Sequence, residues 1–363
     1  MKKVAFVSWD MTVLGGVNQV TVTLANEFAE YYDVHIVSLV KGSGAAEPVL
    51  KPQVHDITFI QERECRGREV ILEGRKKLKK FLDDNKIDIV FLMGFQVALP
   101  VIIMAGKNRC KYVFCDHEAL MSRWHERKIT LVRYLAAVMS DKVVTLTRKN
   151  AVDYREHFHL SEKKLDYIYN SINENVFKNR SEQYDISSKT ILSVGRFCPE
   201  KGYDMLLDVA EKVLKEHTEW KWLIYGAGEI FSQVQDEITE RGLEDKVILK
   251  GEVKDVSGIY KQAAMFVLTS RREGLPLVLL EAKVNHLPCV SFDIVSGPNE
   301  IIRDGVDGFL VEPFDKEEMI CKINKLISDE ELRMEMACEA GKDLDKFSAE
   351  KIVEKWRRLI EAL

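Results

Sequence analysis

MFVLTSRREGLPLVLLEA, residues 265–282, sets an apolar run of strand length and an apolar run of helical length on either side of a short charged turn. The first run does not alternate, so the strand it forms is buried on both faces, as in a parallel sheet. In the second run Pro276 suits the first turn of a helix, where a missing N–H costs nothing. Strand, turn and helix together make half of a βαβ unit. Two carboxylates complicate this reading. Glu273 stands just before the helix, and Glu281 comes after the apolar stretch Leu277 to Leu280. A carboxylate in such a setting is costly unless something bonds it.

The same grammar runs outward in both directions. VAFVSW (4–9), VHIVSLV (34–40), IDIVFLM (87–93), YVFCD (112–116) and KVVTLT (142–147) read as buried strands separated by helical or loop segments. In GGVNQVTVTLANEFAEYY (15–32), Val17, Val20, Leu24 and Phe28 fall on one helical face. The polar stretch NENVFKNRSEQYDISSK (173–189) lacks apolar periodicity and marks the join between domains. The pattern then restarts with TILSVG (190–195), KWLIYG (221–226), KVILKG (246–251), MFVLTS (265–270), PCVSF (288–292) and GFLVE (308–312). This predicts an α/β chain of two doubly wound, Rossmann-like domains in series, over 1–170 and 171–347. FSAEKIVEKWRRLIEAL (347–363) reads as a closing helix with Ser348 as its N-cap.

At 363 residues, each domain is large enough to bury its own core. No apolar run reaches the ~20 residues that span a bilayer. MKKVAFVSWD opens like a signal peptide, but its apolar part ends at Asp10, so it reads as a first strand. The seven cysteines are odd in number and scattered, with no C-x-x-C. That points to reduced thiols in a cytoplasmic protein, without a disulfide framework or zinc site. The net charge of −5 hides an asymmetry: residues 1–180 carry 28 Lys and Arg against 22 Asp and Glu, and residues 181–363 carry 25 against 36. A basic first half suggests a domain that faces something anionic. The excess is densest in RECRGREVILEGRKKLKKFL (63–82), around Arg75, Lys76, Lys77, Lys79 and Lys80. One reading is a solvated helix packed on the core. The other uses Val70, Ile71, Leu72, Leu78, Phe81 and Leu82 to lodge at an anionic membrane surface, peripherally on the inner face of the cytoplasmic membrane. No aromatic platform accompanies the charge, so nucleic acid is not an expected partner.

Ligands of open α/β sheets bind beyond the carboxyl ends of the strands. RFCPEKG lies there after TILSVG, which places Arg196 and Lys201 five residues apart in a turn with Pro199 and Gly202. Two cations suit a diphosphate, and the guanidinium fork can bind it with two donors. The helix start at Pro276 offers free N–H groups to an anion. Glu273 and Glu281 suit sugar hydroxyls. These demands together fit a nucleoside diphosphate sugar. GAGE (226–229) lacks the third glycine of a dinucleotide fingerprint, and no G-x-G-x-x-G comes after the first strand. A nicotinamide dehydrogenase is therefore not expected. Asp116 reads as a strand-end cap, and Met93 and Phe95 as core or cleft lining.

These motifs resemble the GT-B retaining glycosyltransferases of family 4, the glycosyl transferases group 1, over nearly the whole chain. EGLPLVLLE (273–281) matches the E-x7-E signature, GRFCPEKG (195–202) the GR…KG segment, and Gly15-Gly16 the N-terminal glycine pair. GPNEII (297–302) matches the loop G-P-x-E-I-I, and DGVDGFLV (304–311) the segment after it. The resemblance implies two domains facing across a cleft, with the last helix, 348–363, packing back on the first. It implies that Glu281 binds the ribose and Glu273, with Gly274 and Leu275 beside it, contacts the donor sugar. Arg196 and Lys201 would neutralise the diphosphate, helped by backbone N–H groups around Leu277 and Val278. Gly15 and Gly16 would let the first-domain backbone approach the donor, and His117 would contact its sugar. Two departures stand out: Tyr32-Asp33 replaces Gly-His before the second strand, and Asn170-Ser171 replaces Asn-Gly near the hinge.

The implied activity is transfer of a hexose or N-acetylhexosamine, with retention, from a nucleoside diphosphate sugar, with UDP as the expected nucleotide. The acceptor would be a saccharide or lipid-linked saccharide in cell-surface polysaccharide or lipopolysaccharide synthesis. No Asp-x-Asp is placed for a metal, and two cations stand in its stead, so the expected reaction is metal-independent and without cofactor. Two alternatives share the architecture: a non-catalytic nucleotide-sugar sensor or partner subunit, and a nucleotide-sugar epimerase.

Overall fold

Continuous apolar runs become parallel strands in two sheets. The computed structural model describes residues 1–363 except 14, 66, 107, 173, 254, 255 and 257. The chain divides into two compact units, Met1–Asn170 with Ile352–Leu363, and Ser171–Lys351. The polar stretch 173–189 therefore lies within the second unit; its first residue, 173, is outside the described residues. Among the described non-glycine residues, positive φ occurs at Lys86, His159, His286, Phe314 and Asp343. Ser171 is not one of them, so the turn that departs from Asn-Gly makes no demand for glycine there.

The first unit carries β1 (Lys3–Asp10), β2 (Asp33–Val40), β3 (Thr58–Phe59), β4 (Ile89–Met93), β5 (Lys111–Asp116), β6 (Lys142–Thr145) and β7 (Leu165–Tyr167). Their order is β3-β2-β1-β4-β5-β6-β7, and every pairing is parallel. The order reverses between β1 and β4, where a doubly wound sheet opens its ligand crevice. Crossovers toward β7 place the helices Gly67–Asp84, Phe95–Ala105 and Arg127–Met139 side by side on one face. Phe6, Phe28 and Phe91 form an aromatic cluster elsewhere in this unit, and Trp356 of the closing helix meets Phe91 edge-on at 5.6 Å. The closing helix, Ala349–Glu361, thus supplies Trp356 to the first unit's core.

The helix Gly67–Asp84 packs one side on the core, with Ile71 and Phe81 half-buried and Leu72 exposed. Val70, Leu78 and Leu82 are fully buried, and a Cβ at Gly74 would lie 2.8 Å from Ile60 and 2.9 Å from Met104. Arg75, Lys76, Lys77, Lys79 and Lys80 are exposed. Its buried apolar residues are used up in packing and are not available to a membrane.

At the start of β2, Asp33, His35 and His55 meet. The imidazoles stack at 4.1 Å, and His55 Nε2 lies 2.7 Å from Asp33 Oδ1. Burial, then the neighbouring His55, push His35 down to about 4. An unfolded chain protonates this histidine near 6.5. Its contribution to stability is therefore complete above pH 6.5 and is lost as pH falls toward 4. His35→Gln should flatten the stability curve across that window by on the order of 2 kcal/mol in chemical denaturation. An unchanged pH dependence contradicts the assignment.

The second unit carries β8 (Thr190–Val194), β9 (Lys221–Tyr225), β10 (Val247–Gly251), β11 (Met265–Leu268), β12 (Cys289–Phe292) and β13 (Gly308–Val311). The order is β10-β9-β8-β11-β12-β13, again all parallel, and it reverses between β8 and β11. The loops after these two adjacent strands hold Arg196, Lys201 and Glu273. All seven cysteines are free, and five of them are buried. Among the described residues no helix is long and apolar enough to cross a membrane.

Candidate active site

Lys201 and Glu273 are 72 residues apart in sequence and meet at the switch point of the second sheet, with Nζ 2.6 Å from Oε1. Both side chains are largely enclosed, at 22% and 12% exposure. Ser270 donates to the same Glu273 oxygen at 2.6 Å. The backbone around Lys201 is fixed from several sides. Thr269 Oγ1 donates to the Lys201 carbonyl at 3.0 Å. Gly202 takes φ +66, and a Cβ there would lie 2.3 Å from the Thr269 carbonyl oxygen, so no other residue fits. Arg271 forks onto Asp204 at 2.8 and 2.6 Å, reaches the Pro199 carbonyl, and holds the Asp204 carboxyl below its usual range. Arg272 bonds Glu200 at 2.9 Å. The turn after β8 is thereby clamped to the turn after β11.

The GAGE segment has a structural task. Phe197 N–H donates to Ala227 at 2.9 Å, and Gly226, at φ +144, passes so close to Gly195 that a Cβ would lie 1.9 Å from its carbonyl oxygen. The glycines let this turn press against the Arg196–Lys201 loop. Arg196 itself is exposed at the start of that loop.

Pro276 caps the helix Leu277–Val284, whose first residues Leu277 and Val278 are half-buried. Leu275 is buried before it, and the Gly274 carbonyl packs against Gly297, where a Cβ would lie 2.9 Å away. Glu281 sits within the helix at 9% exposure. Tyr260 donates to its Oε2 at 2.6 Å. Burial pushes the Glu281 carboxyl up to about 7, and the Tyr260 bond only partly opposes this. Two residues on, Lys283 is buried and donates to Asp307 at 2.8 Å and to the Ile301 carbonyl at 2.7 Å. Asp307 also accepts from Arg303 at 2.6 Å. This network ties the segments 297–302 and 304–311 to the helix that carries Glu281.

In the first unit, Gly15 is the extended N-cap of the helix Gly16–Phe28. A Cβ at either Gly15 or Gly16 would meet nothing within 4 Å, so the chain's own packing does not demand glycine there. His117 comes directly after β5. Its Nε2 is enclosed without a hydrogen-bond partner, and burial pushes its pKa down to about 4, which keeps it neutral. Asp116 beside it is more than a cap. It is buried, accepts from Tyr154 at 2.5 Å, lies 3.4 Å from the buried Arg133, and also accepts from the Glu118 N–H at 3.3 Å.

Sequence reasoning missed Tyr260, Ser270 and the Lys283–Asp307 pair. Tyr260 and Ser270 lie in no recognisable motif. The Lys283 pairing does carry a sequence signal, an isolated lysine in the buried run just past Glu281. Among the described residues, the one grouping spaced for a metal is Asp33, His35 and His55, at the start of β2. Its imidazoles stack in near-parallel planes and do not converge on a point, and Lys3 already lies 3.1 Å from Asp33.

The family model described as "Glycosyl transferases group 1" matches residues 176–343, and the one described as "Glycosyltransferase Family 4" matches residues 14–176. An uncharacterized glycosyltransferase of Haemophilus influenzae is 27% identical over 99% of this chain and 100% of its own length. The amylovoran biosynthesis glycosyltransferase AmsD of Erwinia amylovora is 27% identical over 95% of this chain and 96% of its own. Among solved structures, Anabaena Alr3699/HepE in complex with UDP and glucose superposes with a TM-score of 0.85, at 18% identity, over the whole of both chains. Matches across both halves, relatives aligned end to end, and two switch-point sheets of the same kind lead to one conclusion: the chain belongs to the GT-B glycosyltransferases and is a transferase.

Proposed function

We propose that this enzyme transfers a hexose or N-acetylhexosamine from a UDP-sugar to a saccharide or lipid-linked saccharide acceptor, with retention, in assembly of a cell-surface polysaccharide. The observation that carries the reading is the Lys201–Glu273 pair, a cation and a carboxylate fixed 2.6 Å apart at the sheet's switch point. AmsD, named for amylovoran biosynthesis, and HepE, crystallised with UDP and glucose, support the polysaccharide setting and the base.

In this reading Glu273 accepts from hydroxyls of the donor sugar. Lys201 and Arg196 face the diphosphate, and the first N–H groups of the helix at Leu277 and Val278 add to them. Glu281 accepts from the ribose through Oε1 while Tyr260 holds Oε2. The bond from the anomeric carbon to the diphosphate oxygen breaks, and a bond to the acceptor oxygen forms on the same face. The acceptor's proton leaves with the diphosphate. Negative charge grows on the departing phosphate, where the two cations and the helix start stabilise it. Lys201 and Arg196 take the part of a divalent ion in this reading, which makes the reaction metal-independent.

The test needs no knowledge of the acceptor. The enzyme is incubated with UDP-glucose, UDP-galactose and their N-acetylated counterparts, and slow hydrolysis is monitored by proton NMR. One donor should be consumed equally with and without EDTA, and the α-anomer of the sugar should appear first. Activity lost to EDTA and restored by manganese would refute metal independence. The β-anomer appearing first would refute retention, and nucleotide binding without any turnover would leave a sensor.

A further inference from the structure

Arg133, on the inward side of the helix Arg127–Met139, is fully buried. A buried ion pair stabilises a fold no better than well-packed apolar side chains of similar volume, so the fold alone gives no reason for it. Its guanidinium reaches one short stretch of chain, the loop directly after β5. Nη2 donates to Glu118 Oε2 at 3.0 Å, Nη1 donates to the Ala119 carbonyl at 3.3 Å, and Nε lies 3.4 Å from Asp116 Oδ2. The guanidinium also lies over the Phe95 ring, 4.6 Å from its centre. The helix Arg148–Phe158 holds the same loop through two further buried side chains. Tyr154 donates to Asp116 Oδ2 at 2.5 Å, and Asn150 accepts from the Leu120 N–H at 2.8 Å while donating to the Glu118 carbonyl at 3.0 Å.

The residue that this network flanks on both sides is His117. Asp116 before it and Glu118 after it are both tied to Arg133, yet the imidazole Nε2 is enclosed without a partner. An enclosed polar atom left unbonded costs stability, and a loop this firmly held cannot turn the ring to find a bond. The loop also lies where a ligand is expected. β5 pairs with β4, at which the order of the first sheet reverses, and ligands of such sheets sit beyond the carboxyl ends of the strands there. Arg333 shows what a buried arginine does for the fold alone. It donates to the Leu326, Ile327 and Ile186 carbonyls, closing the end of the helix Lys316–Ser328, and so satisfies backbone groups. Arg133 instead braces a loop around a side chain that is left free to bond something else.

We propose that Arg133 is a positioning residue: with Asp116, Asn150 and Tyr154 it fixes the loop after β5 so that His117 meets a hydroxyl of the reacting sugar through Nε2. The proposal rests on the transferase reading above. It is tested on the full chain by the same donor hydrolysis, with UDP affinity measured beside it by calorimetry. Asp116→Asn with Arg133→Met removes both buried charges together, so neither is left unpaired, and the thermal melt should stay near that of the wild type. This variant should bind UDP as the wild type does, since Arg196, Lys201 and Glu281 lie in the other unit. It should hydrolyse the donor roughly 10–100-fold more slowly, the effect of displacing a group that meets the substrate. In a His117→Ala background the same pair of changes should cost nothing further, because the group they position is gone. Tyr154→Phe leaves both charges in place, should cost less, and carries the same cycle if the first variant does not fold. Equal losses with and without His117, or no loss in either, overturn the proposal and leave the transferase reading standing. A wild-type enzyme that consumes no donor overturns that reading, and the proposal with it.

Discussion

Lys201→Ala should lower turnover of the nucleoside diphosphate sugar by roughly 10²–10³-fold, the usual effect of removing one preorganised donor aimed at developing charge. The size of the effect rests on how little else would change. The loop holding Lys201 is fixed by its backbone, through Thr269 and the Arg271–Asp204 and Arg272–Glu200 pairs, so truncation removes the ammonium and leaves the turn in place. Glu273 keeps Ser270 as a donor. Because the cation acts on charge that appears as the diphosphate departs, the loss should fall on kcat more than on KM. Lys201→Arg keeps the charge and should recover part of the loss. A Lys201→Ala enzyme with unchanged kcat would show that the pair only holds two loops together.

The second large effect concerns Glu281, where stability and binding should move in opposite directions. Its carboxyl is raised to about 7 from an ordinary value of 4.5 because it is buried. The folded state therefore holds a proton that the unfolded state releases, and stability falls as pH rises from 4.5 through about 7. Glu281→Gln keeps the shape and removes the ionisation. The unliganded variant should gain stability over the wild type across that window, by on the order of 1–3 kcal/mol once the pH passes 7. Its affinity for nucleotide should nevertheless fall roughly tenfold or more, since a charged acceptor for the ribose is lost. The pairing of the two outcomes is diagnostic. A carboxyl that served the fold alone would change the stability curve and leave binding untouched.

Eleven of the strands were legible because their sequences are continuous Val, Ile, Leu and Phe runs. β3 and β7 were not, since Thr58–Phe59 and Leu165–Tyr167 are too short to show a period and are only partly buried. The residues of the proposed donor site could be picked out one by one from the turns at the strands' carboxyl ends. Their meeting could not, because Lys201 reaches Glu273 only through the adjacency of β8 and β11, and strand order is not a local property. Tyr260 shows the same limit: a tyrosine in a short turn becomes the partner of Glu281 through packing alone. The helix Arg127–Met139 was hidden for a different reason. With leucine, valine and tyrosine all around it, RKITLVRYLAAVM does not say which face points outward. In the basic run at 63–82 the charge is plain in the sequence, but which of its leucines are buried is not: Leu78 and Leu82 belong to the core and Leu72 is exposed.

Calorimetric titration with UDP, GDP and ADP tests the donor site most directly, repeated with Arg196→Ala and Glu281→Ala. The account predicts micromolar binding of UDP that both variants lose. UDP bound equally well by all three proteins, or no nucleotide bound by any, would contradict it.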